Sequence, residues 1–144
     1  MPKKYDNQGI SFQYPDNWEL EEENDHESGV LSATVFSPGG AFWSVIRHPQ
    51  MTEPEEAVLQ AVDALSAEYD SVERHAAQET VGDVTLDGYD LGFIYLDLTN
   101  TVRVRGFRGP DATIVLYTQA EDRELAKHAA VFAAMTQSLV DSLY

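Results

Sequence analysis

Arg103 and Arg105 are the residues best placed to do chemistry. They stand two apart in Thr101-Val-Arg-Val-Arg105. In a strand, alternation puts both guanidiniums on one face and Val102 and Val104 on the other. Two planar cationic forks side by side can recognise an anion or a carboxylate. The same geometry also suits cross-strand pairing with acids, worth about 0.2–1 kcal/mol per pair. Asp97 is the acid expected opposite, across a hairpin, and Arg108 follows at the next turn. Glu124 and His128 lie four apart in a helical stretch. Such a pair can supply two metal ligands or form an ion pair on a solvated face, and the latter is expected. His26 sits among Glu21, Glu22, Glu23, Asp25 and Glu27. Carboxylate oxygens suit calcium or magnesium, but the run lacks EF-hand spacing and reads as a solvated acidic loop. Neither a metal nor a cofactor is expected.

Other chemistries lack their residues. There is no cysteine, so no disulfide, thiolate nucleophile or Cys-ligated zinc or iron–sulfur site can form. No G-x-S-x-G elbow, G-x-G-x-x-G turn or P-loop is present, which removes the sequence signals of an α/β-hydrolase nucleophile and of a phosphate cradle. A Ser–His–Asp triad assembles in space and leaves no such signature. The expectation is a protein that is not an enzyme. The alternative is an enzyme or small-ligand carrier with a pocket between sheet and helix.

The bulk composition narrows the partners. Nine Lys+Arg against 25 Asp+Glu leave a formal charge of −16 over 144 residues. That charge repels the phosphate backbone, so nucleic acid is excluded as a partner, and anionic membrane surfaces are disfavoured likewise. A hydrophobic content of 43% with 10% aromatics argues for a folded core rather than disorder. No secretory h-region follows Lys3 and Lys4, and no run approaches about 18 apolar residues. The expected setting is the cytoplasm, and the expected partner is another protein.

Two periodicities position these residues. Ile10, Phe12 and Tyr14 alternate in a strand over 9–14, stopped by Pro15-Asp16-Asn17. Residues 21–29 read as the acidic loop. Strands over 30–36 and 42–46 flank Ser37-Pro38-Gly39-Gly40, an antiparallel hairpin. Phe42 and Trp43 fall on opposite faces of the second, so one should be less covered. Trp43 is the candidate for a contact surface, where exposed aromatics dominate binding energy.

The period then changes to 3.6. Thr52 with Glu55 three residues on forms a capping box, and Pro54 suits the first turn. Val58, Ala61, Val62, Leu65 and Tyr69 share one face of a helix over roughly 53–69. A polar strand over 72–80 precedes Gly82-Asp83. Strands over 89–98, 101–108 and 112–118, separated by Thr99-Asn100 and Gly109-Pro110-Asp111, form an antiparallel meander, since parallel neighbours need long crossovers. A second helix covers roughly 121–141, with Leu125, Ala129, Phe132, Thr136 and Leu139 on its stripe. One α+β domain over 1–144 is expected: a central antiparallel sheet of about six to seven strands with the two helices packed on it.

The stretch Gly9-Ile-Ser-Phe-Gln-Tyr-Pro-Asp-Asn-Trp18 resembles the G-x-x-F-x-Y-P-x-x-W opening of PsbP-like domains, a group that includes Mog-type Ran-binding proteins. Gly88-Tyr89, Thr101 to Arg105, Ile114 to Thr118, Phe132 and Ser138-Leu139 extend the likeness along almost the whole chain. The resemblance implies an α/β/α sandwich and the non-enzymatic binding or assembly role that most members have. Some bacterial relatives are similar to adaptors or chaperones for secreted proteins. The Ran-contact residues have no counterpart here, so no binding residue carries over.

Overall fold

A computed structural model describes residues 2–144. Its strands are β1 (Lys3–Asn7), β2 (Ile10–Tyr14), β3 (Glu19–Asp25), β4 (Val30–Phe36) and β5 (Phe42–Pro49), followed by helix α1 (Pro54–Glu68). Strands β6 (Glu73–Val81), β7 (Val84–Tyr95), β8 (Leu98–Arg108) and β9 (Ala112–Glu121) lead into helix α2 (Asp122–Leu143). Seven strands form one sheet in the order β3-β4-β5-β9-β8-β7-β6, and every neighbouring pair is antiparallel. The expected α+β class with an antiparallel sheet is therefore observed. No helix among the described residues is long and apolar enough to cross a membrane.

Alternation explains the layering. On one face Val102, Val104, Leu91 and Val115 pack under α1 with Val58, Val62 and Leu65. Gly106 permits that contact: a Cβ there would stand 2.5 Å from the Val58 side chain. On the other face Trp43, Val45, Ile114, Leu116 and Leu86 meet Phe132, Met135 and Leu139 of α2. The β1–β2 hairpin lies on this second side, with Phe12 and Trp43 ring centroids 4.7 Å apart. Two hydrogen bonds join α2 to β2: Gln13 N donates to Ser138 Oγ at 3.0 Å, and Ser142 Oγ donates to the Ser11 carbonyl at 2.8 Å.

Several expected boundaries move. Residues 21–25 of the expected 21–29 loop belong instead to the edge strand β3, paired from Glu19↔Phe36 to Asp25↔Val30, and only 26–29 form the turn. Apolar alternation is missing because edge strands commonly carry charge, which discourages pairing with other chains. Residues 3–7 also form a strand, closed onto β2 by Gln8 and Gly9, both at positive φ, as a two-residue hairpin turn requires. The β7–β8 turn is not Thr99-Asn100 but Leu96-Asp97, at φ 52° and 63°. Helix α1 is capped by Glu53 without a side-chain bond, not by the expected Thr52 box; the Thr52 carbonyl instead accepts from Thr113 Oγ1 at 2.5 Å. At the other helix no linker intervenes. Glu121 ends β9 and caps α2, accepting from the N–H groups of Arg123 and Glu124 at 3.2 and 3.4 Å.

Candidate functional site

The sheet register builds the site. On the α2 face one rung runs Trp43 (β5), Thr118 (β9), Arg103 (β8), Asp90 (β7) and His75 (β6). The next rung runs Val45, Leu116, Arg105, Gly88 and Ala77. As expected, Val102 and Val104 are buried on the opposite face. The arginines, however, do not project outward together. Arg103 is exposed, whereas Arg105 is only 7% exposed. The acid across the hairpin from Arg103 is Asp90 rather than Asp97, because the turn sits three residues earlier than turn chemistry suggests.

Arg105 is held from four directions. Its Nη2 donates to Asp90 Oδ1 at 2.7 Å, and its Nη1 donates to the carbonyls of Tyr89 and Val104 at 3.1 and 3.2 Å. Its Nε lies 3.0 Å from Glu79 Oε1, a close ion pair whose buried N–H is not aimed along a hydrogen bond. Gly88 is what brings the strands so near. A Cβ at Gly88 would stand 1.8 Å from the Val104 carbonyl oxygen. A buried cation needs such partners, since removing them leaves its charge uncompensated. This settles Arg105 into a structural pairing.

Arg103 differs. Asp90 faces it in register, yet the Asp90 carboxylate reaches diagonally to Arg105. No carboxylate among the described residues lies within 4.0 Å of the Arg103 guanidinium. Arg103 instead lines a cavity of about 300 Å³ between the sheet and α2, with Glu79, Arg105, Thr118, Thr136 and Gln137. Trp43 forms the back of this cavity with 0% exposure. Its Nε1 donates to Thr136 Oγ1 at 3.0 Å. Trp43 is therefore not a contact surface. It points to the α2 face and is covered there, while Phe42 is the half-buried member of the pair and stacks on Tyr117 at 5.8 Å. All three candidate residues meet at one cavity.

The Glu124–His128 pair is not on a solvated face. His128 Nε2 lies 3.2 Å from Glu124 Oε2, both side chains are largely covered, and the imidazole meets the Trp18 ring edge-on at 5.0 Å. Among the described residues no group of three or more His, Asp or Glu is arranged to hold a metal. At the acidic stretch, Asp25 Oδ1 accepts from the N–H of Glu27 at 3.0 Å and of Ser28 at 3.4 Å. Hydrogen bonding from Ser28 and then from the Glu27 backbone holds that carboxyl below its ordinary range, so its oxygens are engaged in shaping a turn.

Sequence reasoning missed the tip of the β7–β8 hairpin. Ile94, Tyr95, Leu96 and Leu98 are 71%, 53%, 77% and 40% exposed. Tyr69 packs between Phe93 and Tyr95, with centroids 4.1 and 5.6 Å away, and exposed Glu68, Asp70 and Asp97 surround the apolar residues in sequence and turn position. The available signal was the unbroken apolar run Phe93-Ile-Tyr-Leu96, too continuous for a strand with one wet face.

No protein-family model matches the chain, and no curated protein matches it. The fold is similar to a crystal structure from Bacteroides thetaiotaomicron, with a TM-score of 0.60 and 14% identity over 94% of this chain and 47% of that one. This chain thus spans about half that protein's length. It is also similar to PA94 of Pseudomonas aeruginosa, a protein of unknown function, with a TM-score of 0.51 and 13% identity over 96% and 95% of the two chains. LpqN of Mycobacterium tuberculosis, involved in cell envelope biogenesis, matches with a TM-score of 0.47 and 16% identity over 94% and 86%. At these identities the first two likenesses show a shared α+β fold and nothing of activity.

Proposed function

We propose that this chain is a cytoplasmic, non-enzymatic binding or assembly module of PsbP-like fold that docks onto another protein through the β7–β8 hairpin tip. The observation that carries this reading is four large apolar side chains exposed at one hairpin tip, Tyr95 and Leu98 on the α1 face and Ile94 on the other, around a turn where Leu96 holds a positive φ. A leucine in the left-handed region is uncommon and costs about 1–3 kcal/mol, and an exposed apolar group of this kind marks interaction sites. The fold assignment is supported by the places of its signature residues: Gly9 turns the β1–β2 hairpin at φ 84°, and Phe12 and Trp18 are buried. Asp97, Glu68 and Asp70 give the tip an acidic rim, so the complementary partner offers an apolar cleft edged by cations.

The test isolates the protein recovered with the wild-type chain, purifies it, and measures its affinity for Ile94→Ser/Leu96→Ser and for Arg103→Gln. At least a tenfold loss with the tip variant, and little change with Arg103→Gln, is expected, as for truncated apolar anchors. Equal affinity of wild type and tip variant overturns the assignment. So does sedimentation showing that the tip serves only to join two copies of the chain.

A further inference from the structure

We infer that the cavity between β8 and α2 binds a small monocarboxylate with an apolar body, anchored by Arg103. Its wall carries two cations, Arg103 and Arg105, and one acid, Glu79. Glu79 is already matched to Arg105 at 3.0 Å. Asp90, outside the cavity lining, also pairs with Arg105 at 2.7 Å, so two acids offset the two cations, yet no carboxylate among the described residues lies within 4.0 Å of the Arg103 guanidinium itself. A guanidinium presents a fork that suits a carboxylate in two parallel hydrogen bonds. Beside it, Thr118 and Gln137 offer polar atoms for orientation, while Phe132 and Leu116 supply apolar surface.

Size and charge narrow the ligand further. A volume of about 300 Å³ lies at the low end of small-molecule sites, roughly 300–1,000 Å³. A single anionic group is favoured over a dianion, because the Glu79 carboxylate shares the wall and would repel a second negative charge. Inorganic phosphate is therefore disfavoured, and so is a cation, which would meet Arg103. This site lies on the α2 face of the sheet and rests on none of the residues assigned to protein docking.

The chain has two tryptophans, so its indole N–H signals are separable by NMR, and the Trp43 N–H bonds to Thr136 on the cavity wall. Benzoate and hexanoate are titrated as probes, with benzyl alcohol and inorganic phosphate as comparisons. At least one carboxylate is expected to shift the Trp43 signal saturably. Benzyl alcohol and phosphate should bind at least tenfold more weakly. Arg103→Gln, at an exposed position, should weaken the carboxylate at least tenfold, Arg103→Lys less, and Ala133→Phe should block it by filling the cavity from α2. Absence of a saturable shift with both carboxylates overturns the proposal. Unchanged binding by Arg103→Gln, or equal binding of benzyl alcohol or phosphate, overturns it as well.

Discussion

Strand β8 shows two solutions to covering a sheet. Toward α1 it offers Val102 and Val104, both without exposed surface, under Val58 and Val62. Toward α2 it offers Arg103 and Arg105 beside a cavity. The difference lies in what each helix has to cover. Helix α1 spans 15 residues and lies close over its face, its approach permitted by Gly106. Helix α2 spans 22 residues but divides its apolar stripe between the sheet and the β1–β2 hairpin. Its Ala129 and Ala133 are too short to fill the space above the arginines. Small side chains on a helix thus turn a packed layer into a recess, and polar residues can occupy the strand beneath.

The largest effect should come from cutting back the apolar side. Val104→Ala should lose about 2–3 kcal/mol through lost burial and an unfilled gap. Its neighbour Arg103→Ala should stay within about 0.5 kcal/mol, as for an exposed side chain without an ion pair. Denaturant unfolding of both variants checks this, and similar losses would break the contrast between faces. Next, Asp90→Ala should cost about 1–3 kcal/mol, because it strips a hydrogen bond from a buried cation. Arg105→Met, which removes the charge but keeps the bulk, should cost less or even stabilise. A larger loss for Arg105→Met would make the arginine the organiser of that face rather than a group the face must accommodate.

The smallest effect sharpens the α1 side. Burial there holds the His48 imidazole below its ordinary value of 6.5. The unfolded chain therefore takes up the proton first. Stability from the neutral ring is complete above the unfolded value and declines as pH falls through it toward the folded one. Melting temperatures between about pH 5 and 7.5 should show that decline in the wild type and a shallower one in His48→Gln. Parallel profiles would remove His48 from the account.

Much of this contrast was written in alternation. The valine face of β8, the two helices and the antiparallel meander all follow from apolar spacing, because burial on one face leaves a period that the eye can count. What escaped depended on neighbours. Strand β3 has charge where an inner strand would have valine, since its place at the edge is fixed by pairing with β4. Thr99-Asn100 carries better turn chemistry than Leu96-Asp97, yet the chain turns at the latter, and this shift of three residues gave Arg103 the wrong expected partner. The depth of Trp43 and the diagonal reach of Asp90 to Arg105 depend on side chains of other strands and of α2. The cavity at which Arg103, Arg105 and Trp43 meet has no signature in their spacing alone.

The direct passage from β9 into α2 has a mechanical meaning. Glu121 belongs to the ladder, paired with Asn100, and its carboxylate simultaneously clasps the first turn of the helix. Strand and helix consequently behave as one bent lever with its elbow at a single residue. Swinging the helix away from Thr118 would strain that elbow before it opened any gap, so the depth of the recess is tied to the bend at Glu121.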